Sequence, residues 1–259
     1  MKIIDTHAHY DDRRFDDTRD EIIAGVLSTG YIKNIINAGC DIESSKASLA
    51  LSKKYPQFYA TCGIHPHDSA KYLSNKDRTL FELEALLREE KCVALGEIGL
   101  DYHYDFSDRE SQKKMFEYQM QLAKRLSMPV VIHDREAHGD CMDMVRKYPD
   151  VVGEFHSYSG SGEMAKELVK RGWYISFSGV ITFKNASKVL EAMASVPLDR
   201  VMIETDAPYL APVPMRGKDN NSSYMKYTAE AGAKVYGITT EEFCRITTEN
   251  AERFFGIKE

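Results

Sequence analysis

Short apolar runs alternate with helix-like segments along the whole chain. Between the runs, apolar side chains recur at helical spacing, as they do from Met115 to Leu126. Strands that alternate with helices favour a parallel sheet with right-handed crossovers. We therefore predict an α/β fold with one (β/α)8 TIM-type barrel domain over residues 1–259, and a doubly wound open sheet is the alternative. The predicted strands are Lys2–His9, Asn34–Ala38, Phe58–Ile64, Cys92–Ile98, Pro129–His133, Val151–His156, Trp173–Phe177 and Arg200–Thr205.

Three segments carry a helix-start signal in which a hydroxyl residue precedes a glutamate by three positions. This capping box satisfies backbone amides in the first helical turn. We expect helices to begin at these segments, which are Thr79-x-x-Glu82, Ser107-x-x-Glu110 and Thr239-x-x-Glu242.

The composition is that of a globular protein whose core needs no cross-link. The 259 residues are 43% hydrophobic and 29% charged, and a chain of this size buries enough apolar surface to fold without a metal or disulfide. A bound metal would therefore serve function. The five cysteines are dispersed and include no C-x-x-C pair, which predicts reduced thiols.

Charge and apolar patterning bear on location and partners. Met1-Lys2 leads directly into the first predicted strand, and no apolar run reaches membrane-spanning length. We therefore expect a cytoplasmic protein without a membrane partner. The net charge of −6 counts against nucleic-acid binding by bulk electrostatics, so a polyanionic substrate would need local metals and a few basic side chains.

The first predicted strand ends in an alternating Asp5-x-His7-x-His9 run. Side chains in a strand alternate between faces, so these three residues point the same way. Two imidazoles on one face can bind one metal ion. The alternative is a pair of solvent-facing histidines.

Further candidate ligands follow other predicted strands. Glu97, His133, His156 and Asp206 each stand at the carboxyl end of a run, and in a barrel those ends meet on the catalytic face. Taken singly, each could be a buried histidine, an ion-pair partner or a turn cap. Together with His7 and His9 they provide four imidazoles and two carboxylates, which is enough for two divalent ions that activate a shared water.

These residues lie within motifs that resemble the TatD-type metal-dependent hydrolases of the amidohydrolase superfamily. The resemblance extends from the first strand to Asn250-Ala251. The motifs are Asp5-Thr6-His7-Ala8-His9, Gly63-Ile64-His65-Pro66-His67, Gly96-Glu97-Ile98-Gly99-Leu100-Asp101-Tyr102, Pro129-Val130-Val131-Ile132-His133, His156-Ser157-Tyr158-Ser159-Gly160, Glu204-Thr205-Asp206-Ala207-Pro208-Tyr209-Leu210 and Arg216-Gly217-Lys218.

The resemblance implies a TIM-type barrel, two divalent ions and deoxyribonuclease activity from the 3′ end of DNA. It implies that one ion is held by His7, His9, Glu97 and Asp206. The second ion would be held by the bridging Glu97 with His133 and His156. Zinc, manganese and magnesium all suit these donors.

The catalytic hypothesis is phosphodiester hydrolysis by a metal-bridged hydroxide, with single-stranded 3′ ends of DNA as the substrate. Asp206 would act as general base, Glu97 would hold both ions, and His65 would hydrogen-bond a phosphate oxygen. Arg135 is a candidate phosphate contact, and Tyr158 is a candidate for base stacking. Glu204 is a candidate substrate contact, and it could instead orient a ligand histidine or pair with a buried cation.

Two other classes of function use the same residues. A metal pair that polarises a carbonyl would give an ester or amide hydrolase, for example one that deacylates aminoacyl-tRNA. The third class is a non-catalytic metal-binding scaffold, which predicts the loss of a ligand or of Asp206. Neither has occurred in this sequence.

Overall fold

The computed structural model describes residues 2–257, and each of the eight predicted strands is present in it. Fully or largely buried apolar segments form these strands, since a parallel strand covered on both faces needs no polar alternation. The strands are β1 (Ile3–Ala8), β2 (Ile32–Ala38), β3 (Phe58–Cys62), β4 (Cys92–Asp101), β5 (Val130–Arg135), β6 (Gly153–Phe155), β7 (Tyr174–Phe177) and β8 (Val201–Ile203).

Helices alternate with the strands along the described chain. They are α1 (Arg19–Ser28), α2 (Ile42–Lys54), α3 (Ser69–Leu73), α4 (Lys76–Leu87), α5 (Arg109–Leu126), α6 (His138–Lys147), α7 (Gly162–Lys170), α8 (Ser187–Ala194), α9 (Met225–Tyr236) and α10 (Thr240–Phe255).

The strands form one sheet in the order of the sequence, from β1 to β8. The first strand also meets the segment that follows the last strand, because Ala8 and Ala207 form a parallel bridge. The amide of His9 donates to the carbonyl oxygen of Ala207 at 2.7 Å. An open doubly wound sheet would leave these residues apart, so the predicted (β/α)8 fold is confirmed.

The chain divides into two compact units. One unit is continuous, from Ala38 to Phe155. Within it β4 and β5 pair in parallel, with Gly99 opposite His133, and Phe58 and Phe116 are buried in its core.

The second unit combines the segment up to Asn37 with the segment from His156 onward. Within it β7 and β8 pair in parallel, with Phe177 opposite Ile203. Trp173 and Phe243 are among its largest fully buried side chains. The prediction of a single domain over residues 1–259 stays a prediction.

The three helix-start signals had different outcomes. Thr239 caps α10 as predicted, and its side chain accepts a hydrogen bond from the amide of Glu242. The second prediction is wrong by one residue, because the Asp108 carboxylate caps α5 by accepting from Ser111 N. The first is wrong by more, since α4 begins at Lys76 and Thr79 lies inside it. There the Thr79 hydroxyl donates to the carbonyl oxygen of Tyr72.

Two further observations concern the cysteines and the lengths of the helices. All five cysteines are free thiols, and four of them are buried. Between residues 2 and 257, every helix is too short or too polar to cross a bilayer.

Candidate metal centre

The first cluster of candidate ligands lies where β1 ends, directly after β6 and just past β8, and we call it the β1–β8 cluster (His7, His9, His156 and Asp206). Extended backbone presents His7 and His9 on one side, and their Nε2 atoms lie 3.1 Å apart. Asp206 Oδ1 lies 3.4 Å from His9 Nε2 and 3.9 Å from His7 Nε2. Three donor atoms thus converge on a space of the size that one cation occupies.

His156 completes this cluster, since its ring stacks on that of His7 with 4.0 Å between the ring centroids. Its Nδ1 atom lies 3.3 Å from Glu204 Oε1, which also accepts a hydrogen bond from Ser157 N at 2.8 Å. A carboxylate beside one ring nitrogen fixes the proton there. Nε2 of His156 is therefore the atom that would bind a cation.

Asp206 is held in an uncommon backbone conformation, with φ at +59°. Such left-handed residues other than glycine persist where surrounding contacts enforce them. Here Asp206 N donates to the carbonyl oxygen of His7 at 2.9 Å. Burial acts to raise the pKa of Asp206, but the hydrogen bond from His9 and the charges of His156, His9 and His7 outweigh it and lower the pKa below 3.8. The carboxylate is therefore ionised at neutral pH.

Asp5 supports the loop that carries Asp206 and is completely buried. Its carboxylate accepts hydrogen bonds from Thr205 N at 2.9 Å, from Thr205 Oγ1 at 2.7 Å and from Ser222 Oγ at 2.6 Å. Burial raises its pKa to about 6, although these hydrogen bonds oppose the shift. Asp5 thus joins β1 to the segments after β8.

The second cluster lies just past β3 and within the carboxyl-terminal halves of β4 and β5, and we call it the β4–β5 cluster (His65, Glu97 and His133). His133 Nδ1 lies 2.7 Å from Glu97 Oε1, and His65 Nε2 lies 3.5 Å from the same oxygen. The three side chains offer ligand atoms within 4.8 Å of one another, as do His7, His156 and Asp206. Each cluster therefore has imidazole and carboxylate donors at metal-site spacing.

Asp101 contacts His133 of the β4–β5 cluster and the neighbouring His67. Its Oδ2 atom lies 3.1 Å from His133 Nε2 and 2.9 Å from His67 Nε2. Burial would raise the pKa of Asp101, but hydrogen bonds from His133, Tyr104 N and His67 lower it well below 3.8. An ionised Asp101 places the proton of His133 on Nε2, which leaves Nδ1 to face a cation.

The sequence does not decide the roles of His67 and Asp101. A signal was present, because Glu97, Gly99 and Asp101 alternate and share one strand face. The predicted strand stopped at Ile98, whereas β4 continues to Asp101. Gly96 and Gly99 lie in this stretch. Because glycine is a weak strand former, the sequence does not predict that β4 extends to Asp101.

His65 has the protonation and orientation of a hydrogen-bond donor. Its Nδ1 atom accepts from the backbone amide of His67 at 3.2 Å. Burial, aided by the nearby His133 and His67, lowers the pKa of His65 well below 6.5, although Glu97 opposes this. The neutral imidazole therefore carries its proton on Nε2 and can donate it to an anionic oxygen.

The three predicted substrate contacts occupy different environments. Arg135 is exposed at the end of β5, with its guanidinium carbon 4.7 Å from the Tyr104 ring centroid. Tyr158 is only 4% exposed, and its hydroxyl donates to the carbonyl oxygen of Ser161. Glu204 is fully buried beside His156. The structure thus favours the orienting role for Glu204, and only Arg135 presents a surface to solvent.

The donor sets fit divalent ions. Each cluster combines imidazoles with a carboxylate, and in each a second carboxylate orients a ligand histidine. Glu204 Oε2 is buried and has no hydrogen-bond partner among the residues that the structure describes. A buried carboxylate oxygen without a hydrogen-bond partner is expected near a cation, whose charge would stabilise it.

Comparison with known proteins identifies the family. The family model described as TatD related DNase matches residues 4–256. The chain belongs to the TatD family. A TatD homologue of Escherichia coli K12, YJJV, has a crystal structure that superposes on this chain with a TM-score of 0.90 at 28% identity, covering 99% of this chain and 98% of that one.

Two curated relatives extend the comparison. YabD of Bacillus subtilis, named an uncharacterized metal-dependent hydrolase, is 39% identical over 98% of this chain and 99% of its own length. A protein of Citrobacter rodentium named 3′-5′ ssDNA/RNA exonuclease TatD is 30% identical over 92% of each chain. This TatD-family chain is accordingly a metal-dependent hydrolase.

Proposed function

We propose that this TatD-family hydrolase is a cytoplasmic exonuclease that cleaves phosphodiester bonds from the 3′ end of single-stranded DNA with two divalent ions. The observation that carries the proposal is the presence of two imidazole–carboxylate clusters, each with an orienting carboxylate behind a ligand histidine. The name of the Citrobacter rodentium relative supports the choice of a nucleic-acid substrate.

In this proposal His7, His9 and Asp206 hold one ion, and Glu97 and His133 contribute to the other. The participation of Glu97 in both ions and of His156 in the second, which the family resemblance implies, stays a prediction. Bound divalent ions lower the pKa of water and neutralise the charge of a phosphate.

The side chains have distinct tasks in this reaction. Asp206 is ionised at neutral pH and accepts the proton of the attacking water. Neutral His65 donates its Nε2 proton in a hydrogen bond to a non-bridging phosphate oxygen, where charge develops. Glu204 and Asp101 keep His156 and His133 in the tautomers that bind cations.

A metal add-back assay tests the proposal. Chelator-stripped protein is supplied with Mg²⁺, Mn²⁺ or Zn²⁺ and incubated with single-stranded DNA labelled at its 5′ end. We expect a ladder of shortening products that requires metal. Asp206→Asn should lower the rate by at least about 100-fold, because it removes a general base and ligand.

The matched control is Asp143→Asn, which makes the same change in an exposed carboxylate that pairs with Arg146 on α6. It should cleave like the wild type. Absence of DNA cleavage with every metal, in protein shown by elemental analysis to bind two ions, would contradict the nuclease proposal. The same preparation would then be assayed on RNA, ester, amide and aminoacyl-tRNA substrates.

A further inference from the structure

Two aromatic side chains are exposed on the loop between β4 and α5. Tyr104 is 48% exposed and Phe106 is 70% exposed. Their rings are stacked, with 5.3 Å between centroids and 17° between the ring planes. Contiguous exposed apolar surface often marks a site of interaction.

The loop that carries these rings is fixed by buried polar groups. Asp101 Oδ1 accepts hydrogen bonds from His103 N at 3.0 Å and from Tyr104 N at 2.9 Å. The buried Gln112 side chain donates to the carbonyl oxygens of Asp101 and Ser107, at 3.0 and 2.9 Å. Both ends of the segment are thus tied to β4 and α5, so the two rings are held in place in the folded protein.

The same contacts connect the rings to the β4–β5 cluster. Phe106 packs edge-on against the His67 ring at 4.7 Å. His67 in turn hydrogen-bonds Asp101 Oδ2, which also bonds His133. One residue therefore separates the exposed aromatic surface from a candidate metal ligand, with a centroid distance of 6.3 Å between His67 and His133.

An arginine side chain lies beside the two rings. The Arg135 guanidinium lies over Tyr104, 4.7 Å from its ring centroid. Its neighbours Arg109 and Lys113 are paired with Asp105 and Asp140. Arg135 forms no ion pair with any carboxylate among residues 2–257. A guanidinium without a carboxylate partner can bind an anionic group, and the adjacent rings can stack on an aromatic group. The two together suit a ligand that carries both.

We infer that Arg135, Tyr104 and Phe106 form a stacking platform for an unpaired nucleobase of the substrate, with Arg135 facing a neighbouring phosphate. The inference rests on the proposed nuclease function and adds how a single strand is held. Base–aromatic stacking tolerates every sequence because each base has a π-face. A base in a duplex is already stacked on both sides, so the platform selects unpaired ends.

The experiment separates binding from cleavage by using chelator-treated protein. A single-stranded DNA 12-mer carries the fluorescent base 2-aminopurine at one of its last three 3′ positions. We expect wild-type protein to change the fluorescence on binding, as stacking does. Phe106→Ala and Tyr104→Ala should each weaken binding by about 5- to 150-fold, which corresponds to the loss of one base–aromatic stack. Phe106→Trp, which retains a ring, should restore it.

Removal of the base provides the complementary test. An abasic residue is placed at the position where 2-aminopurine changes its fluorescence on binding. This strand should bind more weakly than the normal strand to wild-type protein, whereas Phe106→Ala should bind both strands equally. The matched control is Phe81→Ala, which removes a ring that is 77% exposed on α4, and it should bind like the wild type. Arg135→Gln should reduce the slope of log K against log salt by about 0.7, as expected for one phosphate contact to a single strand.

The outcomes distinguish the two hypotheses. If the wild type cleaves and binds the oligonucleotide while Phe106→Ala and Tyr104→Ala behave identically to it, the platform is refuted and the nuclease function stands. Equal affinity of the wild type for the abasic and normal strands also refutes the platform. If the metal-loaded wild type cleaves no nucleic acid, the proposed function fails, and the platform as a substrate site fails with it.

Discussion

Glu204 Oε1 lies 3.3 Å from His156 Nδ1 and accepts a second hydrogen bond from the backbone amide of Ser157. One buried oxygen therefore orients both the candidate ligand and the chain next to it. Replacement of Glu204 by Ala should weaken cation binding by about 10- to 100-fold, the usual cost of losing such a supporting contact. Isothermal titration with Zn²⁺ or Mn²⁺ measures the change.

The comparison variant is Glu204→Gln, whose side-chain carbonyl can accept the same two hydrogen bonds. It should lose less affinity than Glu204→Ala. Equal affinities of the wild type and Glu204→Ala, in protein with an unchanged melting temperature, would show that Glu204 does not position His156.

Asp101 provides a second test of histidine orientation. In Asp101→Asn, the amide oxygen can still accept from His103 N and Tyr104 N, but an NH2 group would face His133 Nε2. That contact shifts the His133 proton to Nδ1, the atom that faces Glu97, so cation affinity should fall by about 10- to 100-fold.

Asp105→Asn is the matched control for this change. It alters an exposed carboxylate on the same loop, where Asp105 pairs with Arg109, and it should keep wild-type affinity for the cation. A calorimetric titration in which Asp101→Asn binds as tightly as Asp105→Asn would refute the orienting role.

Gly99 is required by the close pairing of β4 and β5. It has φ at +136°, and a Cβ at this position would lie 2.0 Å from the carbonyl oxygen of His133. Gly99→Ala should reduce the free energy of unfolding by about 1–3 kcal/mol or more, as overpacking does. Because the clash falls on His133, cation affinity should fall as well.

Gly139→Ala makes the same change where a Cβ would meet nothing within 4 Å. Since alanine favours helix over glycine, α6 should gain up to about 1 kcal/mol. Urea unfolding compares the two variants, and a Gly99→Ala protein as stable as the wild type would contradict the packing argument.

The pair formed by His138 and Asp134 should make stability depend on pH. His138 Nδ1 lies 2.8 Å from Asp134 Oδ2, and this hydrogen bond raises the pKa of His138 above 6.5. A group with a raised folded-state pKa stabilises the protein below its unfolded pKa, and the contribution disappears as pH rises through the folded pKa. The contribution should stay below about 1 kcal/mol because the imidazole is 40% exposed.

Urea unfolding of the wild type and His138→Gln at pH 6 and pH 9 measures this contribution. The wild type should exceed the variant by more at pH 6 than at pH 9. A difference in unfolding free energy that is the same at both pH values would contradict the assignment.

Strand positions and candidate ligands could be predicted because each depends on local pattern. Buried parallel strands appear as apolar runs, and His7, Glu97 or Asp206 is recognisable by standing where such a run ends. The resemblance to the TatD family indicated which of these residues bind the same metal ion. The family model then confirmed that resemblance over residues 4–256.

Contacts between distant segments could not be predicted in the same way. The bond between His67 and Asp101 joins residues 34 positions apart, and it depends on the path of two loops. The start of α4 could not be predicted for a related reason, since the Thr79 hydroxyl donates to the carbonyl oxygen of Tyr72, seven positions earlier, and the helix begins ahead of Thr79 at Lys76. Tyr158 resembled a loop aromatic in sequence, yet the fold buries it against Phe177.

The bridge between Ala8 and Ala207 also determines the order in which the protein can assemble. The unit from Ala38 to Phe155 is complete in one continuous stretch and can form its contacts as soon as that stretch has left the ribosome. The hydrogen bonds of Asp5, by contrast, can form only after Thr205 and Ser222 have been synthesised, and these residues are 200 and 217 positions further along the chain. Contacts of such long sequence separation form late and slowly. The pairing of β1 with β2 joins residues close in the sequence, so within this strand it is the hydrogen bonds of Asp5 to Thr205 and Ser222 that we expect to form last.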